Sequence, residues 1–196
     1  MKAAISICVL LPVAFVILVS SVKHFQDASL QGSPESNRKL KSYVTLMDAI
    51  REMIKNEGAE SLNDFNDGSG NPSVSWLVKL LPYVGHEGLR EKFSTTEPWD
   101  SPANQKLFAK MPPELSFLGT QEDAESGLTY FVQCKDAGTS EWNAVLAETA
   151  QPRPWTMPSQ FVSRKDVGSL AGKISRNGIY LGTFGGSVFF EPKAPK

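Results

Sequence analysis

Between Ala3 and Val22 the chain carries no charged residue. A run of about twenty such positions, wound as a helix, matches the thickness of a bilayer's hydrocarbon core. No periodic polar face interrupts it, so an amphipathic helix of a soluble core is a poor fit. Lys2 precedes the run and Lys23 follows it, while Val19-Ser20-Ser21 offers small residues to a signal peptidase. Residues 1–23 therefore read as a signal anchor or a signal peptide, kinked at Pro12, with the lipid bilayer as the partner of Ala3 to Val22. Against Lys2 alone upstream, Lys23, Arg38, Lys39 and Lys41 lie on the downstream side, so the positive-inside count does not favour export.

What remains must fold in water. Residues 24–36 include the polar stretch Asp27 to Ser36 with Gly32 and Pro34, and read as a linker. Residues 37–196 are enough chain for one domain with its own core. Leu40, Tyr43, Met47, Ile50 and Ile54 recur at spacings of three and four, which predicts an amphipathic helix that Gly58 ends. From Ser75 to Pro112, Leu77, Leu80 and Leu81 and then Leu89 and Phe93 predict short helices divided by Pro82. Ser101-Pro102 is a helix start, because the hydroxyl accepts an orphan amide proton and Pro gives up an amide that had no partner. Asn104 to Lys110 then form a turn or two, closed by Met111-Pro112-Pro113. Further on, Leu128 to Cys134 and Asn143 to Glu148 read as strands. Gly178 to Phe184 and Ser187 to Glu191 form a hairpin around Gly185-Gly186, and Gln151 to Lys173 is a surface excursion. The expected fold is α+β: an N-terminal membrane helix, an amphipathic spine helix, short central helices and a C-terminal antiparallel sheet.

Residues able to do chemistry are few. The two histidines are His24, beside the apolar run, and His86, read as a solvated loop residue ahead of a helix. Cys8 lies in the apolar run and Cys134 in a strand, so no disulfide closes within the folded part, and Cys134 is expected to be a small buried side chain. The net charge of −1 argues against a nucleic-acid surface, which needs clustered Lys and Arg. Asn63 to Asn71 invites a calcium reading, but with Asp64 and Asn66 as ligands Gly68 falls where an oxygen belongs, and no Glu closes the loop. It is read as a turn. Glu122, Asp123 and Glu125 are expected in a solvated loop. No catalytic residue, metal ligand or cofactor is assigned. Of the tryptophans, Trp76 and Trp99 are expected in the core beside helical apolar positions. Trp155, between Pro154 and Thr156, is the candidate binding residue, which requires it exposed beside another aromatic.

An ordered series of short motifs runs through the same chain: Ser75-Trp76-Leu77-Val78, Leu80-Leu81-Pro82-Tyr83, Pro98-Trp99-Asp100-Ser101 and Lys110-Met111-Pro112. It resembles the pilin-like (pseudopilin-like) domains of unknown function, family 1559, abundant in planctomycete-type bacteria. Weaker likeness extends to Gly127-Leu128-Thr129, Glu148, Pro154-Trp155-Thr156 and Pro158. The resemblance implies a helical spine with a sheet against its length, and a domain outside the cytoplasm, membrane-anchored or secreted if the N-terminus is cleaved. Two departures are visible. The family's His and Asp-Gly positions hold Ser175 and Gly185-Gly186, and Ala3 to Val22 lacks the Gly and Glu of a pilin precursor, so filament assembly is not implied. The expected function is a non-enzymatic structural or interaction domain of the cell envelope, partnered by an envelope protein or polysaccharide. The alternatives are an exported hydrolase using paired carboxylates, and a carbohydrate- or peptide-binding module using exposed Trp.

Overall fold

The computed structural model describes residues 34–116, 120–134, 144–159, 178–183 and 188–192. The Ala3–Val22 run, most of the linker, His24, Trp142, Ser175 and Gly185-Gly186 lie outside the described residues. By contacts the chain divides into Met1–Asn37 and Arg38–Lys196, and the packing below belongs to the second unit. No helix among the described residues is long and apolar enough to cross a membrane.

Helix α1 spans Pro34–Glu57. It starts earlier than the linker reading allows, because Pro34 suits a first helical turn, where its missing amide costs nothing. Its buried stripe is Ser42, Tyr43, Leu46, Met47, Ala49, Ile50 and Met53. Tyr43, Met47 and Ile50 lie where the periodicity puts them, but Leu40 and Ile54 are only half-buried, since the stripe is centred on Leu46 and Met53.

Against α1 lies an antiparallel sheet of four described strands in chain order: β3 (Leu128–Gln133), β4 (Ala144–Pro154), β5 (Gly178–Thr183) and β6 (Val188–Pro192). Phe131 pairs with Glu148, and Leu146 with Gly182, so these four share a face by the two-residue alternation of strands. That face meets the helix. The Tyr43 ring stands edge-on to Phe131 with centroids 5.2 Å apart. A Cβ on Gly182 would fall 2.1 Å from the Met47 sulfur, so glycine there is what lets the helix approach. The opposite face is closed as well, since Val132, Ala147 and Leu181 are all buried.

β4 runs further than Glu148. Thr129 pairs with Arg153 and Phe131 with Glu148, so β4 bulges through Thr149–Pro152 and then resumes. Pro152 cannot donate to a ladder, and the bulge is where a strand tolerates it. This corrects the reading of Gln151 to Lys173 as an excursion: Gln151–Pro154 belong to the sheet. The part beyond Ser159 lies outside the described residues.

Between α1 and the sheet come a 3-10 turn (Ala59–Leu62), a small hairpin of β1 (Phe65–Asn66) and β2 (Pro72–Val74), and a 3-10 helix at Trp76–Val84. Next come α2 (Glu87–Arg90), α3 (Pro102–Gln105), two further 3-10 turns, and α4 (Gln121–Glu125). Pro82 does not divide the central helices as expected. It sits inside the 3-10 helix, and the stop is Gly85 at φ +82°, a left-handed position. Ser101 caps α3 as predicted, accepting from the Asn104 amide at 3.3 Å. Glu122 and Glu125 are helical rather than in a loop, because α4 uses them as its exposed side while Ala124 is buried.

Candidate functional site

Two of the short central motifs, those that begin at Ser75 and at Pro98, meet at one junction, which the distant Pro154–Thr156 segment joins. The Ser75 hydroxyl accepts from the Leu77 amide at 3.2 Å, and the Ser75 amide donates to the Thr156 carbonyl at 2.9 Å. The Trp99 amide donates to the Ser73 carbonyl at 2.7 Å, and the Ser73 hydroxyl to the Thr95 carbonyl at 2.6 Å. Fully buried Asn104 holds the loop that carries Trp99. Its Nδ2 donates to the carbonyls of Ser94 and Pro98 at 2.9 and 3.0 Å, and its Oδ1 accepts from the Ser94 amide at 3.1 Å. Three bonds from one buried side chain substitute for a regular ladder in a loop that has none.

Trp155 sits in this junction and is 0% exposed. Its Nε1–H donates to the Phe108 carbonyl at 3.0 Å, its amide to the Gly127 carbonyl at 3.1 Å, and its ring meets Phe93 edge-on at 5.4 Å. The expectation of an exposed Trp155 is therefore corrected. A burial this complete, with the indole N–H already satisfied, leaves no ring face for a sugar or peptide. Trp76 is buried as expected, whereas Trp99 is half-buried and stacks on Phe108, 5.6 Å between centroids and 10° between planes. Among the described residues, Trp99 and Phe108 are therefore closer to solvent than Trp155.

Asp64 ties the junction to the hairpin. Its Oδ1 accepts from the Trp76 amide at 2.8 Å, and its Oδ2 from the Ser159 amide at 2.7 Å. Burial pushes its carboxyl up from the ordinary aspartate value, against the pull of those two amides and of Arg153 and Lys79. Its neighbour Asp67 does different work, accepting from the amides of Ser69 and Asn71 to shape the hairpin turn. Those bonds, the Asn71 amide foremost, lower its carboxyl. The loop read as a failed calcium site is therefore a hairpin whose two aspartates bind backbone amides. Among the described residues, no group of three or more His, Cys, Asp and Glu is placed to hold a metal ion.

Other chemistry-bearing residues lie elsewhere. Glu148, 2% exposed, has its Oε1 3.7 Å from Lys39 Nζ across the helix–sheet interface. Burial, and then the electrostatic influence of Cys134 and Glu148, push the Tyr43 phenol well above its ordinary value. Cys134 is buried as expected. His86 is half-exposed, with Nε2 3.5 Å from Glu114 Oε2. Sequence reading missed Asn104 and Asp64 as organisers; their only signal was a polar residue among apolar helix starts and turns.

A family model described as a protein of unknown function (DUF1559) matches residues 56–172, more than half of the 196 residues. No curated protein and no solved structure matches the chain.

Proposed function

Because this chain belongs to the DUF1559 family of proteins of unknown function, we propose that it serves as a non-enzymatic structural or interaction domain of the cell envelope. It is tethered through Ala3–Val22, or secreted once that run is cleaved. Helix α1 carries this reading. It follows the uncharged run after a short polar segment, and part of its buried stripe packs on the antiparallel sheet, Tyr43 on Phe131 and Met47 against Gly182. An amphipathic helix with a sheet packed on it, in a chain that also carries an uncharged run, supports a pilin-like head on a membrane-tethered protein. The use of two carboxylates withdrawn from solvent to different degrees supports an architectural role too: half-buried Asp64 faces two amides and buried Glu148 faces Lys39, arrangements that hold segments together.

The full chain should sediment with membranes, resist extraction by high salt, dissolve in detergent, and be digested by protease added outside the cell. The intact N-terminus, read by mass spectrometry, separates anchored from secreted forms. A full-length chain freely soluble in the cytoplasm with residues 1–23 retained would end the proposal.

A further inference from the structure

We propose that Trp99 and Phe108 form a binding platform for a neutral, ribbon-like glycan, a β-linked chain of hexose or N-acetylhexosamine units. This rests on the interaction-domain reading above and names its partner. The two rings stack within 10° of parallel, 5.6 Å between centroids, and both side chains are half-buried. The Trp99 Nε1–H has no partner among the described residues and is open to solvent. That sets it apart from Trp155, whose indole N–H is taken by the Phe108 carbonyl. An indole that keeps its donor and part of its ring at the water boundary suits an amphipathic ligand.

The platform is fixed from behind. The Trp99 amide donates to the Ser73 carbonyl at 2.7 Å, and buried Asn104 donates to the Pro98 carbonyl at 3.0 Å. Phe108 opens the 3-10 turn Phe108–Lys110, and its carbonyl accepts from the Trp155 indole at 3.0 Å. That carbonyl is itself packed so closely that a Cβ on Gly127 would stand 2.9 Å from its oxygen. The backbone under both rings is thus set before a ligand arrives, so little conformational freedom is lost on binding.

Shape and charge together select the ligand. A parallel pair of rings offers a flat apolar layer, not the angled walls of the groove in which a proline-rich helix docks. The C–H face of a pyranose lies flat on such a layer, and β-linkage keeps successive rings in an extended ribbon. Sugar hydroxyls then meet the rim: the Trp99 N–H, the exposed carboxylates of Glu97 and Asp100 and the exposed Gln105 amide. On the Phe108 side, exposed Lys106 and Lys110 match those two acids, so no field of one sign draws a charged polymer.

The test uses the full chain in phosphatidylcholine nanodiscs, with 5-fluorotryptophan at its Trp positions, followed by fluorine NMR as cellohexaose or chitohexaose is added. The Trp99 resonance should shift with at least one of them and saturate below about 10 mM, where even a millimolar site fills. The Trp155 resonance should not move. Trp99→Ala should weaken binding about tenfold or more. Trp99→Phe keeps a ring and loses the N–H, and should weaken it about three- to tenfold. No saturable Trp99 shift with either sugar, or an affinity unchanged in Trp99→Ala, overturns the proposal. Should Trp99→Ala not fold, an affinity unchanged in Trp99→Phe overturns it instead. A stronger response to a proline decamer, or a Trp99 shift that follows protein concentration without sugar, also overturns it, in favour of a peptide or a second copy. None of these outcomes bears on whether the chain sediments with membranes, so the glycan site can fail while the tethered-domain reading stands.

Discussion

The interface between α1 and the sheet and the junction around Trp155 are both buried, yet they are built by opposite means. Along α1, packing is apolar and repetitive: Tyr43 on Phe131, Met47 on Gly182, with Leu46, Ile50 and Met53 fully covered. The Lys39–Glu148 ion pair spans it. At the junction, segments without regular structure are joined by single directional bonds, from Asn104, Asp64, Ser73 and the Trp155 indole. The contrast teaches where each kind of force is needed. Helix and strands satisfy their own backbones, so hydrophobic burial suffices to dock them. Loops bring unsatisfied amides and carbonyls, and each one buried must be given a partner.

The comparison can be broken most forcefully at Trp155. Trp155→Ala should cost about 3 to 5 kcal/mol, because it empties a fully buried site and leaves the Phe108 carbonyl without its indole donor. Urea unfolding reads this as a lowered midpoint, and an effect under about 1 kcal/mol would show that the junction is not part of the cooperative core. Gly182→Ala comes next, at about 1 to 3 kcal/mol, from forcing Met47 off the sheet. Combined with Met47→Ala it should cost less than the two single changes added, and strict additivity would refute the close approach. Asn104→Ala should cost about 1 to 3 kcal/mol through the Ser94 and Pro98 groups it strands, with exchange accelerated at the Ser94 amide before the sheet is affected. Ser101→Ala, which removes a cap and little else, should cost about 1 kcal/mol and be restored by Ser101→Asp. Smallest is Arg51→Ala on the exposed side of α1, which loses the Asp48 pair at about 0.5 kcal/mol or less.

Legibility in the sequence follows the same division. α1 was readable because a helix repeats every 3.6 residues whatever it packs on, and the sheet because its strands alternate or cluster apolar residues between Gly, Asp and Ser. The spacing marks Tyr43, Met47 and Ile50 on the buried side, but that Leu46 and Met53 are covered while Leu40 and Ile54 stay half-exposed depends on what packs on the helix, which periodicity does not specify. The Ser101 cap was legible because it acts within four residues. Pro152 and Pro154 masked the end of β4, since a bulge that accommodates proline is set by pairing with β3 rather than by local preference. Trp155 is misleading in sequence for a related reason: among prolines it looks like a loop residue, and only its packing with Phe93, Phe108 and Gly127 makes it core.

By itself the amino-acid order settled what each segment prefers over short distances: a helical spine from its periodicity, caps and turns from Ser, Pro and Gly, a sheet from its clustered apolar residues, and the family from an ordered set of motifs. Only the tertiary structure decided that Asp64 reaches Ser159, that Asn104 holds the Trp99 loop and that Trp155 is sealed from solvent. The physical reason is range: propensity and periodicity are sums over neighbouring residues, whereas burial and the pairing of a polar group depend on which distant segments the closed chain sets against it.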